Sequence, residues 1–469
     1  MNRPLLLASL LMLAGCAVGP DYQAPADPAQ TGYDLANLPA QERAGVTGPQ
    51  LAPGPVPADW WTLLRSPALD RTEAQALADN ATLASAKASL RQAEQVVVES
   101  QAAWLPQVDL SAGVQRNGSG GFTAAGGGTS SNYFSIGPSA SYMLDLFGAT
   151  ARQVEQSRAQ ADFSRWQVEA ARLTLTGGVA TEALAVASAR LQIATAEDIL
   201  ASDRKNLTMV QRQFEVGKAA RSDVLTAQSQ LVGDQTQLAT LRQQLSVARH
   251  ALVVLMSQTP ADWTPPDFTI DDFAMPGTLP LSVPSELVHK RPDIAAAEAQ
   301  LHSASAAIGL AAAQQYPQIT LSAAVTQQSV TPSALFESAN NLWNVGSGLS
   351  QPIFHGGALE AQRQAAVEAY QAQLATYRQT VITAFGQVAD SLRALEHDAE
   401  LLADAKTSLD ISAQSLALLQ SSYQVGKSNL LQLLTAERAY AQAKQSMATA
   451  KAQQLTDAVQ FFVALGVTQ

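Results

Sequence analysis

The sequence predicts a mainly α-helical chain with a membrane β-barrel portion: four β-strands and long coiled-coil-like helices, arranged in two structural repeats. Three observations predict it. Matching segments recur along the chain, proline-free spans carry a seven-residue apolar period, and short segments alternate apolar with polar residues.

The repeat comes first, because it organises everything else. Trp104-Leu105-Pro106-Gln107-Val108-Asp109-Leu110-Ser111-Ala112 matches Gln315-Tyr316-Pro317-Gln318-Ile319-Thr320-Leu321-Ser322-Ala323. Phe214-Glu215-Val216-Gly217-Lys218 matches Tyr423-Gln424-Val425-Gly426-Lys427, an offset of 209. The same offset carries Val224-Leu225-Thr226-Ala227 onto Leu433-Leu434-Thr435-Ala436 and Gly177 onto Gly386. Each half then reads helix, two strands, very long helix, tight turn, medium helix.

Proline breaks helices, so proline-free spans show where long ones can run. None falls between Pro67 and Pro106, between Pro138 and Pro260, or after Pro352. From Gly148 to Phe214 and from Gly356 to Tyr423 each long helix covers roughly 67 residues, or ~100 Å. The medium helices come to about 40 residues each. Val367, Leu374, Val381, Val388, Leu395, Leu402, Leu409, Leu416 and Tyr423 fall every seventh residue. Val224, Leu231, Leu238, Leu245 and Leu252 do the same, with Ala227, Leu241, Ala248 and Leu255 on a companion seam. A strict seven-residue repeat implies left-handed supercoiling.

The strands separate this chain from an ordinary coiled coil. Val108, Leu110, Ala112 and Val114 alternate with Asp109, Ser111, Gly113 and Gln115; Ile319, Leu321, Ala323 and Val325 alternate with Gln318, Thr320, Ser322 and Ala324. Less regular partners are Tyr133 to Leu144 and Leu342 to Ile353, with Gly118 to Ser131 as the outer loop of the first hairpin. Segments of about ten residues with one apolar face suit a lipid-facing barrel. Four strands cannot close, and every backbone group in a bilayer needs a partner. Several chains must therefore share one barrel, and arithmetic alone permits a dimer, a trimer or more.

Composition agrees. Hydrophobic residues make up 47% but aromatics only 6%, so alanine-rich helices pack closely without a thick globular core. The formal net charge is −11, and removing residues 1–15 takes away Arg3 and no acid, leaving −12. That argues against nucleic acid as a partner. No stretch after the N-terminus reaches the ~18 consecutive apolar residues of a membrane helix. Any span must be built from strands.

The N-terminus reads as a secretory signal: Arg3, the apolar run Leu5 to Leu11, then Leu13-Ala14-Gly15 before Cys16, the only cysteine. Leu-Ala-Gly-Cys resembles the lipobox of bacterial lipoproteins. That resemblance implies a covalent lipid, diacylglycerol and an N-acyl chain, on Cys16. Ala17 rather than aspartate implies export to the outer membrane. The competing reading is a chance cysteine behind an ordinary signal. The domain plan is a signal peptide (1–15), a lipidated extended segment (16–65), a first repeat (66–258) and a linker (259–284), then a second repeat (285–466). The strand pairs fall at 107–145 and 317–354, and the turns at 215–223 and 424–432.

A family resemblance covers nearly the whole mature chain. Val18-Gly19-Pro20-Asp21-Tyr22-Gln23-Ala24-Pro25 and Trp60-Trp61 resemble the opening of outer-membrane efflux lipoproteins. Arg291-Pro292-Asp293-Ile294 with Ala297-Glu298, Ile308-Gly309, Tyr316-Pro317, and Gln351-Pro352-Ile353-Phe354-His355-Gly356-Gly357 are similar to the same family. It is the TolC-like outer-membrane factors of tripartite efflux pumps. The resemblance implies a homotrimer whose twelve strands form one barrel, with a helical tunnel through the periplasm. It further implies a periplasmic adaptor protein and an inner-membrane pump as partners, and outer-membrane lipid around the barrel.

A duct needs a gate, and the helix turns are its candidates. Gly217 and Gly426 suit the left-handed conformation that ends a helix. Ser222 or Asp223, and Ser428 or Asn429, suit the caps that start the next. In the family these turns form a periplasmic tip, closed at rest. The first carries Glu215, Lys218, Arg221 and Asp223, of which Arg221 and Asp223 are the expected closing network; the second has Lys427. Where some family members carry a constriction aspartate this chain has Gln432, so Leu430 and Leu431 suggest an apolar constriction instead. Arg158, Arg165 and Arg172 form a stripe that fits a solvated outer face better than a tunnel wall.

Enzymatic chemistry finds no support. His250, His289, His302, His355 and His397 show neither metal-ligand spacing nor paired carboxylates, and Gly217-Lys218 lacks the upstream glycine of a phosphate loop. Neither a metal nor another cofactor is expected. Against small-molecule efflux stand a type I protein-secretion duct and a non-conducting tether between membranes.

Overall fold

A computed structural model describes residues 17–26, 50–54, 56–119, 129–281 and 284–466. The expected signal peptide, Cys16 and residues 120–128 lie outside them. The strands are β1 (Gln50–Pro53), β2 (Gln107–Ser119), β3 (Thr129–Leu144), β4 (Thr278–Leu281), β5 (Gln318–Ser329) and β6 (Asn341–Ser350). The helices are α1 (Pro67–Asp79), α2 (Ala81–Ala102), α3 (Ala149–Glu215), α4 (Arg221–Leu255), α5 (Pro284–Lys290), α6 (Pro292–Ala313), α7 (Ala358–Gln424) and α8 (Leu430–Leu465). Short 3-10 turns connect several of them.

The chain divides into two compact units. One holds the described residues up to Pro25, with Ala88–Arg165 and Ala296–Arg378. The other holds the described residues of Ala26–Lys87, Trp166–Ala295 and Gln379–Gln469.

The first unit contains an antiparallel four-stranded sheet in the order β2-β3-β5-β6. Register sorts the side chains into two faces. Val108, Ala140, Ala323 and Val345 stand side by side across all four strands, as do Leu144, Ile319 and Leu349 across three. The opposite face carries Asp109, Ser139, Ala324 and Asn344, then Gln107, Ser141, Ser322 and Gly346. The apolar face is bare within one chain: Val108 is 69% exposed, Leu110 73%, Trp343 75% and Val345 75%. Each such side chain left in water forfeits roughly 1.5–3 kcal/mol.

In the second unit the apolar seam is buried. Val224, Ala227, Leu238, Leu241 and Leu252 of α4 are covered, as are Val388 and Leu395 of α7. Trp60 stacks on Phe462 with centroids 5.4 Å apart, and both are fully buried. No described helix is long and apolar enough to cross a membrane.

Several expectations need correction. Gly118 and Ser119 belong to β2 and Thr129 to Ser131 to β3, with Gly118 opposite Ser130, so the strands reach into the expected loop. Backbone pairing needs no side chain, and small residues hide it from an alternation test. β6 begins at Asn341 and stops at Ser350 rather than running to Ile353. Pro352 cannot donate to a ladder, and Gln351 Nε2 instead reaches Gln315 O at 3.1 Å. The medium helices are 35 and 36 residues, not forty.

Each opening helix is broken in two. Asn80 interrupts the first, its side chain donating to Leu255 O and accepting from Leu83 N. Pro292, whose ring disfavours helix before it, interrupts the second at Arg291. The extended segment and the linker also hold more order than expected, since β1 pairs parallel with β4.

Gly137 tests the sheet register. A Cβ there would lie 2.0 Å from Val325 O and 2.7 Å from Thr326 Cα, and backbone cannot swing aside. Gly137→Ala should lower the melting temperature of the detergent-solubilised protein, at a cost of about 1–3 kcal/mol. Gly113→Ala, meeting only Ser135 Oγ at 3.4 Å, should melt as the parent does. Equal melting temperatures for all three proteins would contradict the register.

Candidate functional site

Two constructions stand out: a clamp on the N-terminal segment in the first unit, and the two hairpin tips in the second.

The clamp is centred on Arg152, in the first turn of α3. Asp145 opens that helix by accepting from Ala151 N at 2.9 Å. Arg152 is nearly buried and donates to Asp21 at 2.8 Å, to Glu155 at 2.7 Å and to the carbonyls of Val18 and Gly19. Glu155 Oε1 lies 2.9 Å from His302 Nε2 on α6, and the His302 ring stacks on Tyr22 at 4.3 Å. Tyr22 donates to Glu298 at 3.4 Å. Burial alone would raise the Glu155 carboxyl, yet hydrogen bonds from Arg152 and His302 hold it below the usual range. Burial, then the facing Glu298 carboxylate, push the Tyr22 phenol well above its usual range.

Glycines let this segment sit close. Gly19 has φ of +102°, and a Cβ on it would lie 2.4 Å from Gly309 Cα. Ala17, adjacent to Cys16, packs on Gly148 at the junction of β3 and α3. Several residues that carried the family resemblance thus hold this N-terminal strap: Gly19, Asp21, Tyr22, Glu298 and Gly309. Others lock the framework. Arg291 Nη1 donates to Ala464 O at 2.7 Å near the end of α8, while its Nε and Nη2 grip Asp293 at 2.9 Å.

The tips are two versions of one turn. Lys218 N donates to Gln213 O at 2.7 Å and Gly217 N to Phe214 O at 3.0 Å, with Gly217 at φ +72°. Lys427 N donates to Ser422 O at 2.8 Å and Gly426 N to Tyr423 O at 3.1 Å, with Gly426 at φ +73°. Both are the glycine-terminated helix ending expected.

The caps that follow differ in chemistry. Asn429 and Gln432 form a reciprocal box: Gln432 N donates to Asn429 Oδ1 at 2.9 Å, and Asn429 N to Gln432 Oε1 at 3.0 Å. In the first tip the cap position is Ala220, which has no side-chain acceptor. Asp223 supplies only the return bond, accepting from Ala220 N at 2.9 Å. Neither Ser222 nor Ser428 is the cap; Ser428 Oγ instead donates to Leu419 O. Gln432 therefore does in its tip what Asp223 does in the other, without the charge.

Within one chain Arg221 lies over the Phe214 ring, 5.9 Å from its centroid. Lys218 and Lys427 are exposed, Leu430 is half-buried and Leu431 is exposed. Arg158 and Arg165 are exposed and Arg172 is half-buried; Arg165 pairs with Asp162 at 2.9 Å. Sequence reasoning missed what ties the tips together: Tyr423 OH donates to Gln213 Oε1 at 2.6 Å. Only the constant offset, which sets the two turns at matching heights, could have hinted at it. Among the described residues no group of three or more candidate ligands could hold a metal ion.

This architecture of long paired helices and few strands is that of outer-membrane channels. The family model described as outer membrane efflux protein matches residues 74–258 and 283–467. The chain belongs to that family. It is 30% identical over 416 residues to the pyoverdine export outer membrane protein OpmQ of Pseudomonas aeruginosa, covering 87% of this chain and 86% of that one. It is 29% identical over 465 residues to the toluene efflux pump outer membrane protein TtgF of Pseudomonas putida, covering 98% and 96%. Among solved structures, the outer-membrane channel OprN matches with a TM-score of 0.88 at 26% identity, over 97% of this chain and 99% of that one. The Neisseria gonorrhoeae MtrE channel in its open state matches at 0.80 and 26%, over 96% and 98%.

Arg152→Ala should free the strap while leaving the sheet intact. Hydrogen bonds from a charged donor contribute about 1.5–3 kcal/mol, so amide exchange at residues 18–22 should speed at least about tenfold. The exposed Asp21 carboxylate adds little to that. Hydrogen exchange by mass spectrometry checks it; unchanged protection would mean Arg152 is not what holds the segment.

Proposed function

We propose that the chain is the outer-membrane exit duct of a tripartite efflux system, passively conducting small molecules from an inner-membrane pump and periplasmic adaptor to the outside. One observation carries this: among the described residues, a four-stranded sheet has a bare apolar face and two unpaired edges, β2 and β6. The apolar face needs lipid, and the edges need strands of other copies. Three copies, the number the TolC-like resemblance implies, close a twelve-stranded barrel, and the long helices form a periplasmic tunnel. The two repeats, 66–258 and 285–466, each supply a strand pair and a helix hairpin. Relatives named for pyoverdine export and toluene efflux favour small molecules over a secreted protein as cargo.

Cys16 carries diacylglycerol and an N-acyl chain in this reading. The clamp supports it, because the strap fixes Ala17 beside the base of the sheet, where acyl chains would enter the same membrane. Mass spectrometry of the mature N-terminus should find an acylated Cys16; a free thiol or cleavage elsewhere would refute the anchor without touching the duct.

The tip turns form the gate. Arg221→Ala with Asp223→Ala removes the charges and the Ala220 cap bond together, the latter worth about 1 kcal/mol. Basal conductance in planar bilayers should rise while native mass still reads a trimer. If the parent protein conducts nothing under any condition, the tether reading replaces the duct. If the folded double mutant conducts as the parent does, the gate lies elsewhere, with Leu430 and Leu431 next to replace.

A further inference from the structure

Between the helix hairpins α3/α4 and α7/α8 lies a cavity of about 180 Å³, lined by Asp203, Gln230, Leu416, Leu434, Glu437 and Tyr440 among others. Asp203 is 7% exposed, and no donor reaches its buried Oδ2. What faces it is another carboxyl, Asp234, from the opposite arm of the first hairpin.

Of the neighbouring charges only Arg438 favours the ionised form, and burial, Asp234 and Glu437 outweigh it. On α4, Gln230 Nε2 donates to Asp234 Oδ2 at 2.7 Å. On α8, Arg438 is bound to Gln230 Oε1, Glu437 accepts from Asn206, and Lys444 is held by Asp198 of α3 at 2.6 Å. From α7 come Leu416 and Gln420, both uncharged. Lys444 is thus engaged elsewhere, Arg438 contributes least, and Glu437 adds a third negative group. Two ionised carboxylates facing each other in a poorly solvated site repel strongly; one proton between them turns repulsion into a hydrogen bond.

We propose that Asp203 and Asp234 form a proton-held clasp across the first helix hairpin, closed by a shared proton and loosened when that proton leaves. Burial first, then Asp234 and Glu437, raise Asp203 to about 7. In a splayed hairpin, with water at the carboxyl, it returns toward its ordinary 3.8. The clasped state therefore binds the proton more tightly. Its hold is complete below about pH 4, weakens as pH rises through about 7, and gains nothing from the proton above that. Resting on the duct reading, this makes the first tip harder to open in an acidified periplasm.

The test uses the full-length protein in detergent. Exposed Lys205 of α3 and Val232 of α4 are replaced by spin-labelled cysteines (Lys205→Cys, Val232→Cys), reporting the hairpin width by pulsed electron resonance. The ratio of splayed to narrow hairpins should rise roughly a hundredfold between about pH 5 and about pH 8. Asp203→Asn, whose amide donates to Asp234 without titrating, should keep the narrow distance at both. Asp398→Asn removes a carboxyl facing Asp457 in the second hairpin and should leave the response intact. A parent without a pH response overturns the clasp, as does a response that survives Asp203→Asn or vanishes with Asp398→Asn. Conductance recorded in parallel separates the claims: a hairpin that widens in a protein that never conducts removes the duct and keeps the clasp.

Discussion

A strand immersed in hydrocarbon must pair every backbone N–H and C=O, and no side chain can stand in for that partner. In the proposed duct the requirement falls on the outer sides of β2 and β6, which have no neighbouring strand among the described residues. Most else follows. Under the proposed duct the sheet cannot stand alone in lipid, and other copies of the chain would supply the missing strands. Its apolar residues can then face outward and its Asp109, Ser139 and Asn344 row inward, the reverse of a soluble protein. A face of polar residues is also what a water-filled passage needs.

The two hairpin tips show which part of a repeated plan physics holds fixed. Both end their first helix with a glycine at positive φ and the same pair of backbone bonds. What must be satisfied afterwards is the set of free N–H groups at the next helix start. Asn429 with Gln432 does it with neutral amides, and Asp223 does half of it with a carboxylate. Either an amide or a carboxylate can make the return bond, so a charge stands at one tip and is absent from the other.

Much of the fold was legible because it is periodic. Prolines bounded the long helices, which run Ala149–Glu215 and Ala358–Gln424, within two residues of the expected ends. Alternation located the strand faces. The misses are aperiodic. β1 and β4 pair through backbone across more than two hundred residues of chain, with four residues each. The strand ends inside Gly118 to Ser131 carry no apolar signal. No periodic pattern marks the burial of Arg152, Asp203 or Arg291, because it depends on partners from other segments of the chain. The family resemblance flagged Asp21, Tyr22 and Arg291 without saying why they matter; the strap and the grip on the end of α8 supply the reason. Cys16 lies outside the described residues, and its neighbour's position carries the argument for it.

The distribution of bond types along the second unit decides where movement is cheap. Around Trp60, Phe461 and Phe462 the packing is aromatic and fully buried. Opening it would expose several large side chains at roughly 1.5–3 kcal/mol each. Asp398 and Asp457 lie between that cluster and the tip, as a second facing carboxyl pair. Nearer the tip the ties become polar: Tyr423 to Gln213, Asn206 to Glu437, Arg438 to Gln230, Lys444 to Asp198. Partly exposed polar ties contribute about 0–1 kcal/mol each and re-form with water when broken. A docking partner can therefore exchange them one for one, whereas it has nothing to offer a stripped aromatic core. Splaying is accordingly cheapest in the last turns of each hairpin, where the ties are polar, and costliest at the buried aromatic end.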